Sequence, residues 1–193
     1  MKEDWQALLM TWSAKVLAVT DTMPTAGPIN GLGQEGATEH QLAAAETRLG
    51  CILPPSYREF LKATNGLLQP PNGGGACGGD FWSVDELDWF AKRNAAWVRT
   101  YDGFDTPDEL YFVYGDLQNT VHFRSAYLKG ALELTHRGDS SVYLLNPFVT
   151  NDQGEWEAWH FANWYPGAAR YRSFAEMMLE HYKASINDGV DGF

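Results

Sequence analysis

Apolar positions in the first third of the chain fall at helical spacing. Trp5, Leu8, Leu9, Trp12, Val16 and Val19 share one broad face over residues 4–19, and Asp4 stands where a cap belongs. Thr38-x-x-Gln41 has the form of a capping box opening a second helix. Leu42, Ala45 and Leu49 lie to one side of that helix, and Gly50 ends it. From Leu53 to Gly66 the chain reads L-P-P-S-Y-R-E-F-L-K-A-T-N-G. Pro55 suits a first helical turn, where its missing N–H costs nothing. Tyr57, Phe60, Leu61 and Thr64 follow at i, i+3, i+4 and i+7. Asn65-Gly66 is expected to stop the helix, since both residues tolerate the left-handed conformation.

Beyond residue 66 the period changes. Phe81-Trp82 reads as a short strand, and Ser83-x-x-Glu86 as a capping box for a helix to about Lys92, with Leu87, Phe90 and Ala91 inward. Ala95–Thr100 suits a further helical turn. From Glu109 on, strands are expected: Leu110–Tyr114, Val121 and Phe123 alternating with His122 and Arg124, Leu132 and Leu134 around Glu133, Val142–Leu145, and Trp156–Phe161. Asn146-Pro147 should break the fourth of these, and Asn151–Gly154 should turn the chain into the last. Ser173 can cap a final helix over 173–186, with Phe174, Met177, Met178 and Tyr182 on its inner face. Two glycine- and proline-rich stretches, 20–37 and 67–79, read as loops. Gly73-x-Gly75-x-x-Gly78 matches a dinucleotide fingerprint formally. Pro70-Pro71 before it and Asp80-Phe81-Trp82 after it exclude the strand and helix that the fingerprint needs.

The order Thr38, Leu49-Gly50, Leu53-Pro54-Pro55-Ser56-Tyr57, Phe60-Leu61, Asn65-Gly66 resembles the signature of the SUKH superfamily, the Smi/Knr cell-wall-regulator family. Gly154-Glu155-Trp156-Glu157 resembles that family's last hairpin, and Ser173-Phe174-Ala175-Glu176-Met177-Met178 its closing helix. The resemblance covers about residues 38–183. It implies an α+β fold: a twisted, mainly antiparallel sheet with helices packed on one side. It also implies a binding domain, widespread as bacterial immunity proteins and without common catalytic residues. The expected organisation is an N-terminal helix and Gly/Pro linker over 1–37 packed on the domain, a SUKH-like domain over 38–187, and a loose tail over 188–193.

Charge narrows the partners. The chain carries 14 Lys and Arg against 25 Asp and Glu, a net charge of −11. Nucleic acids and anionic membranes require the opposite surplus, so neither is expected as a direct partner. A basic protein is favoured, because opposite fields speed encounter. The two cysteines, Cys51 and Cys77, make no disulfide framework. No apolar leader and no apolar run of membrane-spanning length occurs, so a cytoplasmic protein is expected.

No catalytic, cofactor or metal motif stands out. His40, His122, His136, His160 and His181 include no pair at i, i+4 and no H-E-x-x-H. Cys77 has no neighbouring base to activate it. An enzyme would need a site assembled in space around Asp85, Asp88 or His160. One constellation is distinctive: nine acids and only three bases lie between Asp80 and Asp116, interleaved with Trp82, Trp89, Phe90, Trp97, Tyr101 and Phe104. Aromatic anchors ringed by carboxylates suit a basic protein partner, although inward-facing aromatics under a solvated acidic surface would give the same composition. The candidate partner-binding residues are Asp85, Glu86, Asp88, Trp89, Trp97, Tyr101, Asp102, Asp105, Asp108 and Glu109. The leading expectation is an immunity protein that neutralises a cognate basic toxin. The alternative is a scaffold or regulatory module binding endogenous proteins, as the family's eukaryotic members imply. The sequence leaves the oligomeric state open.

Overall fold

The computed structural model describes residues 4–19, 32–68, 79–164 and 166–187. The Gly/Pro stretch before residue 32, the glycine run with Cys77 and the tail from 188 lie outside the described residues. Helix α1 (Trp5–Val19) is capped by Asp4, whose Oδ1 accepts from the Ala7 N–H at 3.0 Å. Helix α2 (Glu39–Leu49) opens with the Thr38–Gln41 capping box and closes on Gly50 at φ 72°. Helix α3 (Pro55–Ala63) buries Tyr57, Phe60 and Leu61 completely.

Five antiparallel strands follow in simple order: β1 (Asp88–Trp89), β2 (Leu132–Glu133), β3 (Ser141–Thr150), β4 (Trp156–Ala162) and β5 (Ala168–Tyr171). β5 has no counterpart in the sequence reading. Four short α-helices, α4 (Phe90–Arg93), α5 (Ala95–Thr100), α6 (Asp108–Tyr111) and α7 (Ser125–Leu128), and a 3-10 turn at Gly115–Leu117 lie between β1 and β2. Helix α8 (Phe174–Asn187) ends the described chain, with the Glu176 N–H on the Ser173 hydroxyl at 3.0 Å.

The central pair β3–β4 sets two faces, with Tyr143 opposite His160 and Leu144 opposite Trp159. Tyr143, Leu145, Trp156 and Ala158 meet the long helices, where Trp5, Tyr57, Phe60, Phe81 and Phe174 form one core. Phe60 is the hub, with ring centroids 5.5 Å from Trp5, 5.4 Å from Phe81 and 4.9 Å from Phe174. Val142, Leu144, Trp159 and Phe161 face the other way and meet Phe90, Val98, Phe123 and Leu128 in a second core. The fold is α+β with an open antiparallel sheet. The long helices share one side, and the other side is covered by α4–α7 and their loops.

Several local expectations give way to tertiary contacts. Residues 83–92 are not one helix. The Ser83 hydroxyl does reach Glu86 at 2.6 Å, but only a single turn forms. Carbonyls that a longer helix would use are engaged, since Arg48 binds those of Val84 and Leu87, while the first-turn Val84 N–H is fixed on Asn65 Oδ1 at 2.7 Å. Asp88-Trp89 then pairs with β2, and α4 begins at Phe90. The same Asn65 is not left-handed. Helix α3 stops at an extended Thr64, and positive φ appears at Gly66, at 107°.

Leu110–Tyr114 is not a strand, because Pro107, Asp108 and Glu109 start α6. Val121–Arg124 is not a strand either. The Phe123 N–H and C=O both bond the Thr106 hydroxyl, each at 2.9 Å. Asn146-Pro147 does not end β3. The strand continues to Thr150 through a register shift held by the Asn146 side chain, whose Oδ1 accepts from the Phe148 N–H at 3.1 Å.

Candidate functional site

The candidate partner-binding residues divide between the two sides of the sheet. Asp85, Glu86, Asp88 and Trp89 stand at the β1 edge beside α2. Asp85 reaches Gln41 Nε2 at 3.5 Å, Asp88 pairs with Lys92 at 2.7 Å, and Trp89 is half-buried against the long-helix core. Trp97 and Tyr101 lie on the other face, half-buried on Phe161 with centroids 5.1 and 4.8 Å away. Around them Asp102 pairs with Lys129 at 3.6 Å, and Asp105 and Asp108 pair with Arg124. Glu109 is exposed. Adjacency in sequence therefore yields two patches, and the aromatic rings of the stretch are largely committed to cores.

The second patch continues into residues that the sequence reading did not select. Phe112 and Phe148 are 45% and 59% exposed. Phe148 stacks on Tyr127 with centroids 5.3 Å apart and planes 18° apart. Tyr127 accepts from Arg124 Nη1 at 3.1 Å. The Arg124 guanidinium lies 4.6 Å from the Tyr111 ring and 5.6 Å from Phe112. Leu110, Leu117 and Val121 are also exposed on this segment. Leu110 and Val121 read as strand residues in the sequence; the helix-starting Pro107-Asp108-Glu109 is the signal that argues otherwise for Leu110.

A buried carboxylate holds the segment in place. Glu157 on β4 is fully enclosed and accepts from Tyr111 Oη at 2.6 Å, Tyr114 Oη at 2.8 Å, Asn146 Nδ2 at 2.8 Å and Trp159 Nε1 at 2.7 Å. The Arg170 guanidinium stands 3.9 Å away and donates to the Tyr111 carbonyl and, at 3.4 Å, to that of Val113. Burial, and then the Glu157 charge, push the Tyr111 and Tyr114 hydroxyls well above their ordinary pKa, so both remain donors. Gln118 brackets β5: its Oε1 accepts from the Arg170 N–H and its Nε2 donates to the Arg170 carbonyl, each at 2.6 Å.

Cavities open at separate places among the described residues. One, of about 410 Å³, is lined by Asp116, Gln118, Tyr171, Glu176 and Glu180 beside β5. Another, of about 380 Å³, lies between α1 and the 33–36 segment, against Leu9, Met10 and Lys62. Neither brings together the residues that an assembled active site would have used. Asp88 and His160 belong to strands three spacings apart, about 14 Å. His160 is enclosed by Tyr143, Trp164 and His181, and burial, then His181, lower its pKa to about 3. Among the described residues no His, Cys, Asp and Glu side chains group so as to hold a metal ion, and no helix is long and apolar enough to cross a membrane.

What this arrangement offers chemically is a shaped, negatively charged, aromatic surface. No curated protein matches the chain. The model of the SMI1/KNR4 family (SUKH-1) matches residues 36–180.

Proposed function

The chain belongs to the SMI1/KNR4 (SUKH-1) family, and from that premise we propose that it is a non-catalytic protein-binding domain, an immunity protein that binds and neutralises a cognate basic toxin in the cytoplasm. The family is generally non-enzymatic and supports an interaction domain of the immunity type. The observation that carries the reading is the segment 102–123, which bears five acids and no Lys or Arg and exposes Phe104, Leu110, Phe112, Leu117 and Val121 among them. Apolar anchors with a carboxylate rim supply contact area and steer a cationic partner. Neutralisation requires only that the toxin's working face be covered, so no residue here has to do chemistry.

Helix α1 lies before the matched region, with Trp5 packed on Phe60. We assign it to the same working unit. The test is co-expression with the toxin encoded beside this gene. Growth should be restored, and the two chains should copurify. No toxin in the neighbourhood, together with no protection, would sink the immunity reading. The scaffold reading draws on the cleft between α1 and residues 33–36, whose apolar wall of Leu9 and Met10 suits a peptide. Copurification of endogenous regulatory proteins, with no toxin among them, would favour it.

A further inference from the structure

Ordering an exposed side chain at an interface opposes binding. Phe148 is fixed in advance. Its ring stacks on Tyr127 and sits over Gly130, where an added Cβ would come within 2.6 Å of the ring. A larger residue at 130 would push the ring off this seat. The β3 register shift turns Phe148 outward, and Asn146 holds the shift by accepting from the Phe148 N–H and donating to buried Glu157. Next along the surface, Arg124 ties Tyr127 to Phe112 and bonds the Thr106 carbonyl through Nε at 2.6 Å. The Arg124 charge is met by Asp108 and Asp105, so the row presents aromatic faces and a negative rim.

Resting on the reading of this chain as a protein-binding domain, we infer that Phe112, Tyr127 and Phe148 are the preformed anchor row of the interface, and that the partner enters as a cationic segment carrying large apolar side chains. Three features set the partner's chemistry. The row is aromatic and ordered, the composition that concentrates binding energy at interface centres. Asp105, Asp108 and exposed Glu109 outnumber the Arg124 charge that two of them meet, and that surplus favours Lys and Arg on the partner. A second copy of this chain would bring a net charge of −11 against another −11, which disfavours self-association.

The test uses the full chain and a synthetic amphipathic helix of Leu and Lys, with its Leu and Glu counterpart as control. Amide shifts on titration should cluster at residues 104–130 and 146–149. Phe148→Ser and Phe112→Ser should each weaken the Leu/Lys peptide by roughly tenfold or more, with unchanged melting temperatures. Ile52→Ser, at an exposed site on the long-helix side, should bind as the parent does. Several results would overturn the inference: no binding, shifts centred on Asp85–Asp88 or on the α1 cleft, equal effects of all three substitutions, equal binding of the Leu/Glu peptide, or dimerisation through this face. Toxin protection reads the other claim separately. Protection and toxin binding that survive Phe148→Ser and Phe112→Ser would remove the anchor row and leave the immunity reading intact. Peptide binding at the row without protection would do the reverse.

Discussion

Glu155 caps a helix to which it does not belong. Its carboxylate accepts from the Ser56 N–H at 2.8 Å and from the Ser56 hydroxyl at 2.6 Å, at the start of α3, where Pro54 provides no side-chain cap. The β3–β4 turn thus supplies the negative charge that the helix N-terminus favours, 99 residues along the chain. Ser56→Ala and Glu155→Ala should each cost about 0.5–2 kcal/mol, as lost caps do. Urea unfolding of both single variants and the double variant checks this. A double variant equal to the sum of the singles would mean that the pair is not coupled.

Glu157 should be far less tolerant. Glu157→Gln keeps the shape but sets an amide among four donors and strips Arg170 of its counter-charge. A loss of about 3–5 kcal/mol is expected. Hydrogen exchange should also show residues 111–118 losing protection first. Uniform loss of protection would mean that Glu157 does not specifically secure this segment.

Phe60→Ala should cost about 3–5 kcal/mol, because its ring is fully buried among Trp5, Tyr57, Phe81 and Phe174. Thermal or urea denaturation measures it. A value well under 2 kcal/mol would mean that the long-helix core closes over the gap.

Acid should weaken the fold through His160. The unfolded imidazole takes up a proton near pH 6.5, whereas burial beside His181 holds the folded one neutral down to about 3. The stability contributed by the neutral form is present above pH 6.5 and is lost as pH falls toward 3, at about 1.4 kcal/mol per pH unit. His160→Gln removes that proton uptake. Its stability should fall less steeply between pH 6 and 4, by about one proton's worth of slope. Parallel curves for the two proteins would refute the assignment.

The two acidic patches can be separated by charge reversal. Asp102→Lys with Asp105→Lys should weaken a basic partner and flatten its salt dependence, while Asp85→Lys, at the β1 edge, should do much less. All three side chains are exposed, so folding should be little changed. Calorimetric titration at low and high salt provides the comparison. An equal effect of Asp85→Lys would extend the interface around the sheet edge.

The long helices and the β3–β4 pair were legible because their signals are local. Thr38–Gln41, Gly50 and Ser173 mark ends within a few residues, and Asn151–Gly154 marks the hairpin turn. Between 83 and 124 only the helical turn at Ala95–Thr100, which is α5, was legible. In the rest of that stretch the backbone is satisfied by side chains from elsewhere: Asn65 and Arg48 on 84–87, and Thr106 on Phe123. The acids of 102–109 were plain as charge. Tyr127 and Phe148 were not, because the row is assembled from three separated segments, and Pro147 reads as the end of the strand that in fact carries Phe148 outward.

Gln118 has a consequence for how this molecule behaves in company. A terminal strand normally leaves a row of backbone groups ready to pair with any extended chain. On β5 the Gln118 amide occupies the Arg170 N–H and C=O, and the Thr120 carbonyl takes the Ala168 N–H at 3.1 Å. The sheet is sealed on that side by a single side chain and a turn. An incoming strand, from another copy or from an unfolded neighbour, would have to evict Gln118 before gaining its first hydrogen bond. Loss of that one amide would leave the Arg170 N–H and C=O open to pairing with an extended chain.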